Sequence, residues 1–180
     1  MRLFYLIITI FVSCNSEVTK EAPVDEIKKV ILSSGACLGF CPVLTIEVDK
    51  NLNYKFYGST HTSQKGFYVG KATPFIWASL TDKLDSSLYQ KLSSVYDFGY
   101  LDEPPVEVTI YFGETKKKIS GQWKSIPSDL SKALNWLLGS YPYIDLKKVD
   151  TLTFESSLHE RFVNPKGYFN SLPDTLKENK

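Results

Sequence analysis

Residues 104–121 read PPVEVTIYFGETKKKISG, and this stretch decides the predicted fold class. Apolar and polar side chains alternate along it, which is typical of a strand with one buried face. Four of its residues would face one way and three the other: Val106, Val108, Ile110 and Phe112, against Glu107, Thr109 and Tyr111. Gly113-Glu114 predicts a turn into a second strand over residues 115–121, whose run of lysines suits a solvated sheet edge.

The same alternation occurs earlier in the chain. It covers residues 43–48, breaks at 49–51 and resumes over 52–58, which predicts a second hairpin. Other β-rich runs predict further short strands, at residues 27–33, 66–70, 75–80 and 149–154.

Two helices are predicted from apolar spacing. Leu88, Leu92 and Val95 recur at helical intervals after Asp85, which can cap a helix, and Gly99 would end it. A second stretch, residues 127–138, carries an apolar stripe, and a glycine follows it.

The order hairpin, helix, hairpin, helix predicts an α+β fold, with an antiparallel sheet and two helices packed on one face. A chain of 180 residues has room for one domain with appendages. We place that domain at residues 26–139 and a C-terminal extension at residues 140–180.

Residues 1–13 are predicted to be a signal peptide. A positive charge precedes an apolar stretch over residues 3–12. As a helix this stretch would reach about 15 Å, half of the roughly 30 Å that a bilayer core requires. It is therefore too short to span a membrane and fits the core of an export signal.

Cys14 is the predicted lipidation site. Residues 11–14 (FVSC) resemble the bacterial lipobox, whose cysteine is acylated, for example with palmitate. Residues 14–25 would then form the lipidated cysteine and a polar tether. By resemblance to Gram-negative lipoproteins, the absence of Asp at position 15 favours the outer membrane. The alternative is a plain secretory signal in which Cys14 is incidental.

The other two cysteines, Cys37 and Cys41, lie in residues 35–42 (GACLGFCP). An exported chain meets an oxidising compartment. Because Cys14 is assigned to lipid, two cysteines remain, and they are predicted to form a disulfide. A thiol-redox centre is one alternative, although such centres usually place Cys-x-x-Cys at a helix start. A copper or zinc site is another, and it would need ligands beyond His61 and His159.

The composition excludes some classes of protein. Only the first dozen residues are apolar enough to enter lipid, which rules out a polytopic membrane protein. The 21 Lys+Arg and 20 Asp+Glu nearly balance, so nothing in the charge indicates a nucleic-acid partner. An apolar content of 43% is enough for a folded core.

The sequence favours a non-catalytic protein and predicts no catalytic residue, metal ligand or cofactor. His61 and His159 are expected on the surface, outside any motif that positions a nucleophile. Asp102 and Glu103 are adjacent, so on an extended chain they would point to opposite faces rather than share an acid–base site. An unrecognised hydrolase is an alternative that would need a pocket gathering a histidine, acids and a nucleophile.

Aromatic residues supply the one sign of recognition. They are dense over residues 52–77, and the neighbouring pairs Phe56-Tyr57 and Phe67-Tyr68 must send one ring to each sheet face. Most such rings belong to a core, but an exposed aromatic face can bind a glycan, a peptide or a protein. Tyr57 and Tyr68 are the candidate binding residues.

Several of these segments resemble one family. Residues 37–43 (CLGFCPV) and 54–58 (YKFYG), then Asp102-Glu103-Pro104 and residues 127–138, resemble an uncharacterised bacterial family, the domain of unknown function numbered 6438. The resemblance implies an exported, often lipid-anchored module. It implies no activity and no functional residues.

Together these features predict a lipid-anchored module of the cell envelope that binds a ligand or partner. The predicted partners are the membrane, through the N-terminal lipid, and an unidentified protein, peptide or glycan. The alternative function is a periplasmic thiol-redox or copper-handling protein that uses Cys37 and Cys41.

Overall fold

The structure is a computed structural model that describes residues 25–96, 99 and 102–164. It contains a mostly antiparallel sheet and three α-helices. The strands are β1 (Ile27–Ser34), β2 (Leu44–Asp49), β3 (Asn53–Gly58), β4 (Gly66–Lys71), β5 (Val95–Tyr96), β6 (Pro105–Phe112), β7 (Thr115–Gln122) and β8 (Lys147–Val149). The helices are α1 (Pro74–Ser86), α2 (Ser128–Leu138) and α3 (Ser157–Val163).

The eight strands form one sheet in the order β5-β7-β6-β1-β2-β3-β4-β8. Every neighbouring pair is antiparallel except β5 and β7. Strand β1 lies inside the sheet, paired with β2 on one side and β6 on the other. The predicted α+β class and both predicted hairpins are confirmed.

Alternation along the strands gives the sheet two different faces. The apolar face carries Val30, Leu32, Leu44, Ile46, Val48, Tyr54, Phe56, Val106, Val108, Ile110 and Ile119. The buried residues of α1 and α2 belong to the same cluster as these strand residues. The polar face carries the alternate residues, among them Ser33, Thr45, Tyr57, Glu107 and Lys118.

Helix α1 contradicts the strand predicted over residues 75–80. The Thr73 side chain accepts a hydrogen bond from the Ile76 N–H, and Pro74 occupies the first turn, where its missing N–H costs nothing. Ile76, Leu80 and Leu84 are then buried at helical spacing. The β-forming residue types in this stretch are outweighed by the cap and by this stripe.

The helix predicted after Asp85 is also wrong. The backbone at Leu88 is left-handed, with φ 52°, and only a short 3₁₀ turn follows it at Tyr89–Lys91. Leu92 is extended, and Val95 is exposed and paired in β5. Three apolar residues at helical spacing were too few to specify a helix.

Helix α2 confirms the second predicted helix within one residue, and Gly139 is its C-cap. The strand predicted over residues 149–154 is wrong for most of its length, because β8 ends at Val149. Helix α3 was not predicted. Its N-cap is Ser156, whose side chain accepts a hydrogen bond from the His159 N–H.

The described chain begins at one end of the sheet. The Gly113 N–H, in the β6–β7 turn, donates to the carbonyl of Glu26, one residue after Asp25. No helix within the described ranges is long and apolar enough to cross a membrane. The predicted signal peptide, Cys14 and nearly all of the tether lie outside the described residues.

Candidate functional site

Cys37 and Cys41 form a disulfide that closes a five-residue loop, which we call the disulfide loop (residues 37–41). The loop follows β1 at the end of the strand farther from Asp25. Two large apolar side chains project from it, and Leu38 is 90% and Phe40 88% exposed. The predicted disulfide is therefore present, and it holds two hydrophobic side chains in water.

Two residues from other segments support the disulfide loop. The Leu38 N–H donates a hydrogen bond to the Asp102 carboxylate. Asp102 has φ 68°, a left-handed conformation that Asp tolerates better than most residues. The Phe40 ring meets the exposed His61 ring edge-to-face, with 5.1 Å between centroids. Asp102 and His61, which are distant from the disulfide loop in the sequence, therefore both contact it in the structure.

The surroundings of the disulfide differ from those of the predicted alternatives. The element that follows Cys41 is strand β2, which begins three residues later, whereas thiol-redox centres usually place their cysteines at the start of a helix. Within the described ranges, no group of three or more His, Cys, Asp or Glu side chains is arranged to hold a metal ion.

A second feature is an aromatic cleft between the start of α1 and the end of α2, with a volume of about 480 Å³. We define the aromatic cleft by its lining residues, which are Thr73, Phe75, Ile76, Asn135, Trp136, Gly139, Ser140 and Tyr143. Phe75 is 69% and Tyr143 82% exposed. The lining residues carry no charge, so the cleft offers aromatic surface with neutral polar groups.

Contacts inside the protein fix the walls of the aromatic cleft. The Trp136 Nε1–H donates to the Ile76 carbonyl at 3.3 Å, which joins α2 to α1. The Phe75 ring stands edge-to-face on Trp136, with 5.6 Å between centroids. Ser140 donates to the Leu137 carbonyl at 2.6 Å, so its hydroxyl is held in place at the inner wall. The cleft is therefore preformed.

The two predicted binding residues do not share a surface. Tyr57 is paired with Phe67 across β3 and β4 on the polar face, and their rings are 4.8 Å apart. Tyr68 is paired with Phe56 on the apolar face and packs against the core. Neither tyrosine lines the aromatic cleft. Binding by Tyr57 or Tyr68 stays a prediction, and it would require two separate sites.

Helix α3 contacts the polar face of the sheet through a buried hydrogen-bond network. The Thr45 hydroxyl lies 3.0 Å from His159 Nδ1 and 3.0 Å from the Ser33 hydroxyl. The Ser33 hydroxyl also lies 2.7 Å from the Ser156 hydroxyl. Rings of Tyr57 and Phe154 pack against the His159 ring, with centroids 4.9 and 4.6 Å away.

The prediction that His159 lies on the surface is wrong, because its exposure is only 3%. Burial lowers the pKa of His159 to about 4, so the imidazole is neutral at physiological pH. Its hydroxyl partner Thr45 is fully buried as well. The network therefore joins α3 to the sheet through buried groups.

A second contact of α3 uses charge. Glu107, 5% exposed, accepts from the Ser157 N–H at 3.0 Å, from the Ser157 hydroxyl at 2.5 Å and from Lys118 at 2.9 Å. Burial alone would raise the pKa of Glu107, but the hydrogen bonds from Ser157 and Lys118 outweigh it, and the pKa lies below its usual range. Glu107 is thus an ionised anchor for the start of α3.

Most of this geometry falls within a known sequence family. The sequence pattern of the domain of unknown function DUF6438 matches residues 28–141, more than half of the chain. The chain belongs to this family. No curated protein matches it. The DUF6438 match covers the disulfide loop, Asp102 and most of the aromatic cleft, while α3 lies beyond its end.

Three aromatic residues of the cleft in this DUF6438 protein, Phe75, Trp136 and Tyr143, were not predicted from the sequence. Phe75 was assigned to a strand, and Trp136 was outside the aromatic-rich segment. The available signal was the Thr73-Pro74 pair, which marks a helix start and would have put Phe75 on an exposed helix turn. No sequence signal brings Phe75 beside Trp136, because that proximity depends on how α1 packs against α2.

Proposed function

We propose that this DUF6438 protein is a lipid-anchored module of the cell envelope that binds a ligand without chemical turnover. The aromatic cleft is the single observation that carries the proposal, because it is preformed, about 480 Å³ in volume and lined by aromatic rings. A volume of this size falls within the range of sites that bind small molecules, about 300–1,000 Å³. We also propose that α1 and α2 pack side by side on the apolar face of the sheet.

The ligand that best fits the aromatic cleft is a neutral saccharide. Sugar rings present C–H groups on their faces, which pack on aromatic rings, and hydroxyls at their edges, which need polar partners. Phe75 and Trp136 offer rings at 75° to each other, and Asn135 and Thr73 offer neutral polar groups beside them. None of the lining residues is charged, and Lys83 places its ammonium 5.4 Å from the centre of the Trp136 ring.

Titration of the protein with di-N-acetylchitobiose and with maltose tests the cleft, using tryptophan emission as the readout. Trp136 reports the site directly, and the chain has two other tryptophans that line no part of it. Substituting Tyr143 or Phe75 by Ala should weaken binding about fivefold each, because each removes one aromatic contact worth about 1 kcal/mol. The matched control is Phe40→Ala, an equally exposed aromatic outside the cleft.

A proline-rich peptide is included in the same titration, because such peptides also bind aromatic grooves. If the peptide binds and the saccharides do not, the module is a binder of peptides and the saccharide assignment is wrong. If no probe changes the emission at millimolar concentration, the cleft is not the binding site proposed.

The anchor has its own test. Mass spectrometry of the protein isolated from membranes should show a chain that begins at Cys14 and carries acyl groups. A chain that retains its first residues, or one cleaved elsewhere without lipid, would overturn the anchor while leaving the cleft proposal intact.

The thiol-redox alternative is tested by titration of the disulfide. We expect that Cys37–Cys41 resists mild reductants such as glutathione, because a strand rather than a helix follows Cys41, unlike the usual arrangement in thiol-redox centres. Rapid reduction under those conditions, followed by a reactive thiol of low pKa, would favour the redox function over the binding function.

A further inference from the structure

Leu38 and Phe40 are held in water by a loop that has no role in the core. Both side chains are close to nine-tenths exposed, although burying either one would be favourable. Exposed apolar residues are ordinary when scattered singly, but these two stand two residues apart at the tip of one closed loop.

The disulfide loop is already ordered before it meets anything. The disulfide closes it, the Gly39 N–H lies 3.3 Å from the Cys37 sulfur, and the Leu38 N–H is bound by Asp102. A contact made by this loop would therefore cost little conformational entropy.

The position of the loop relative to the start of the domain limits what it can reach. Asp25 is near one end of β1 and the loop is at the other, so the strand separates them by about 26 Å at roughly 3.3 Å per residue. From Cys14 to Asp25 an extended chain covers up to about 36–40 Å. A membrane that holds Cys14 would thus be within reach of Leu38 and Phe40.

The size of the exposed patch also bears on the occupant. Two side chains present a few hundred Å², well below the roughly 1,200 Å² that a stable protein interface buries. A bilayer needs no such area when another attachment already holds the protein at its surface, because two weak signals together give stable anchoring.

We propose that the disulfide loop inserts Leu38 and Phe40 into the surface of the lipid bilayer to which the chain is anchored. This inference rests on the lipid anchor of the proposed function. The second contact would hold the sheet along the membrane. The Asp102 carboxylate contacts the loop, and the neighbouring Glu103 is paired with Lys124, so zwitterionic lipid is the appropriate surface for the test.

The test uses the full chain isolated from the membranes of its expression host and reconstituted in phosphatidylcholine vesicles with brominated acyl chains. Phe40→Trp places a reporter on the loop, and Tyr143→Trp is the matched control, since Tyr143 is equally exposed but lies in the aromatic cleft. The emission of the natural tryptophans is measured in the unsubstituted chain and subtracted. We expect bromine to quench the emission of the tryptophan added on the loop at least twofold and that of the control hardly at all.

A second substitution checks that insertion depends on both side chains. Adding Leu38→Ser to Phe40→Trp should remove most of the quenching, because the loop then loses half of its apolar surface.

Each other outcome counts against the proposal. Equal quenching of both reporters would mean that the protein adheres to the vesicles without a specific orientation. Quenching of neither reporter would mean that the loop does not enter the bilayer and would favour a protein partner for it. If the chain does not remain with the vesicles at all, the lipid anchor of the proposed function fails too. Attachment without quenching overturns the loop insertion alone.

Discussion

The two faces of the sheet are built on different principles. Side chains of the apolar face are aliphatic or aromatic, and they form one cluster with the buried residues of α1 and α2. The polar face instead buries hydroxyls, an imidazole and a carboxylate, and these groups hydrogen-bond to one another and to α3. The part of the polar face that carries Ser33, Thr45 and Glu107 is buried as well, and there the fold depends on polar atoms finding partners.

This difference indicates how each face contributes to the fold. Hydrophobic burial is non-directional and tolerates changes of shape, so the apolar face supplies most of the stability. Hydrogen bonds in a buried network need defined geometry, so the polar face fixes where α3 sits. The apolar strand residues all lie within the DUF6438 match, and α3 lies outside it. The match also includes the polar-face residues Ser33, Thr45 and Glu107, so it spans the strand residues of both faces.

The largest expected effect is on the apolar face. Ile46 is fully buried in β2, and Ile46→Ala should lower the free energy of unfolding by about 4 kcal/mol, because the substitution removes apolar contacts and leaves a cavity. Denaturant unfolding monitored by circular dichroism measures it. Ile46→Val is the matched control and should cost about 1 kcal/mol. A loss under about 1 kcal/mol for the alanine variant would mean that the apolar face is not the main source of stability.

The next effect is a pH dependence that the apolar face cannot have. His159 is neutral when buried, with its pKa at about 4 against an ordinary value of about 6.5. Between these values the unfolded chain binds a proton that the folded chain does not, so the stability present above about pH 6.5 falls as the pH drops toward about 4. The loss should reach up to about 3 kcal/mol.

His159→Gln removes this titration and keeps a polar group near Thr45, so its stability should change much less across the same pH window. His61→Gln is the control, since His61 is exposed and its variant should follow the unsubstituted protein. Glu107, whose pKa is lowered, loses its contribution only as the pH falls below the ordinary glutamate value of 4.5, so the His159 effect is measured between about pH 6.5 and that value. Parallel curves for His159→Gln and the unsubstituted protein would contradict the assignment.

A buried carboxylate should matter more than an exposed one. Glu107→Ala removes the acceptor for two Ser157 donors and for Lys118, and should destabilise the fold by about 2 kcal/mol. Glu114→Ala is the matched control, because Glu114 is also paired with a lysine but is 95% exposed, and the loss of such a surface pair should hardly change the stability. Equal effects of the two substitutions would show that the Glu107 contacts are no stronger than a surface ion pair.

The same contrast explains what the sequence could predict. Alternation over residues 43–58 and 104–121 predicted four strands correctly, because the apolar face follows a period of two. Helix α1 was missed because Phe75, Ile76 and Trp77 are β-forming types, and the cap at Thr73 was not recognised.

The sequence carries weaker signals for the polar face of the sheet and for the aromatic cleft. His159 was predicted on the surface because histidine is usually exposed, and nothing in the sequence shows that Ser33 and Thr45 would receive it. The aromatic cleft joins Phe75 to Trp136 across two helices, and such long-range packing has no sequence period. The disulfide was predictable because the predicted export signal implies an oxidising compartment and two cysteines remain to pair once Cys14 is set aside.

The smallest expected effect is the loss of one hydroxyl from the polar face. Its size shows whether the buried hydrogen bonds act together as a network or independently of one another. Ser33→Ala deletes a hydroxyl that bonds Thr45 and Ser156, but Thr45 keeps His159 and Ser156 keeps the His159 N–H. Since no neighbour loses its last partner, the cost should be about 1 kcal/mol, against almost nothing for the exposed Ser63→Ala. Chemical denaturation of both variants decides it. A loss of about 3 kcal/mol or more at Ser33 would mean that the network acts as one cooperative unit, so that the polar face is as sensitive to a single missing hydroxyl as the apolar face is to a missing aliphatic side chain.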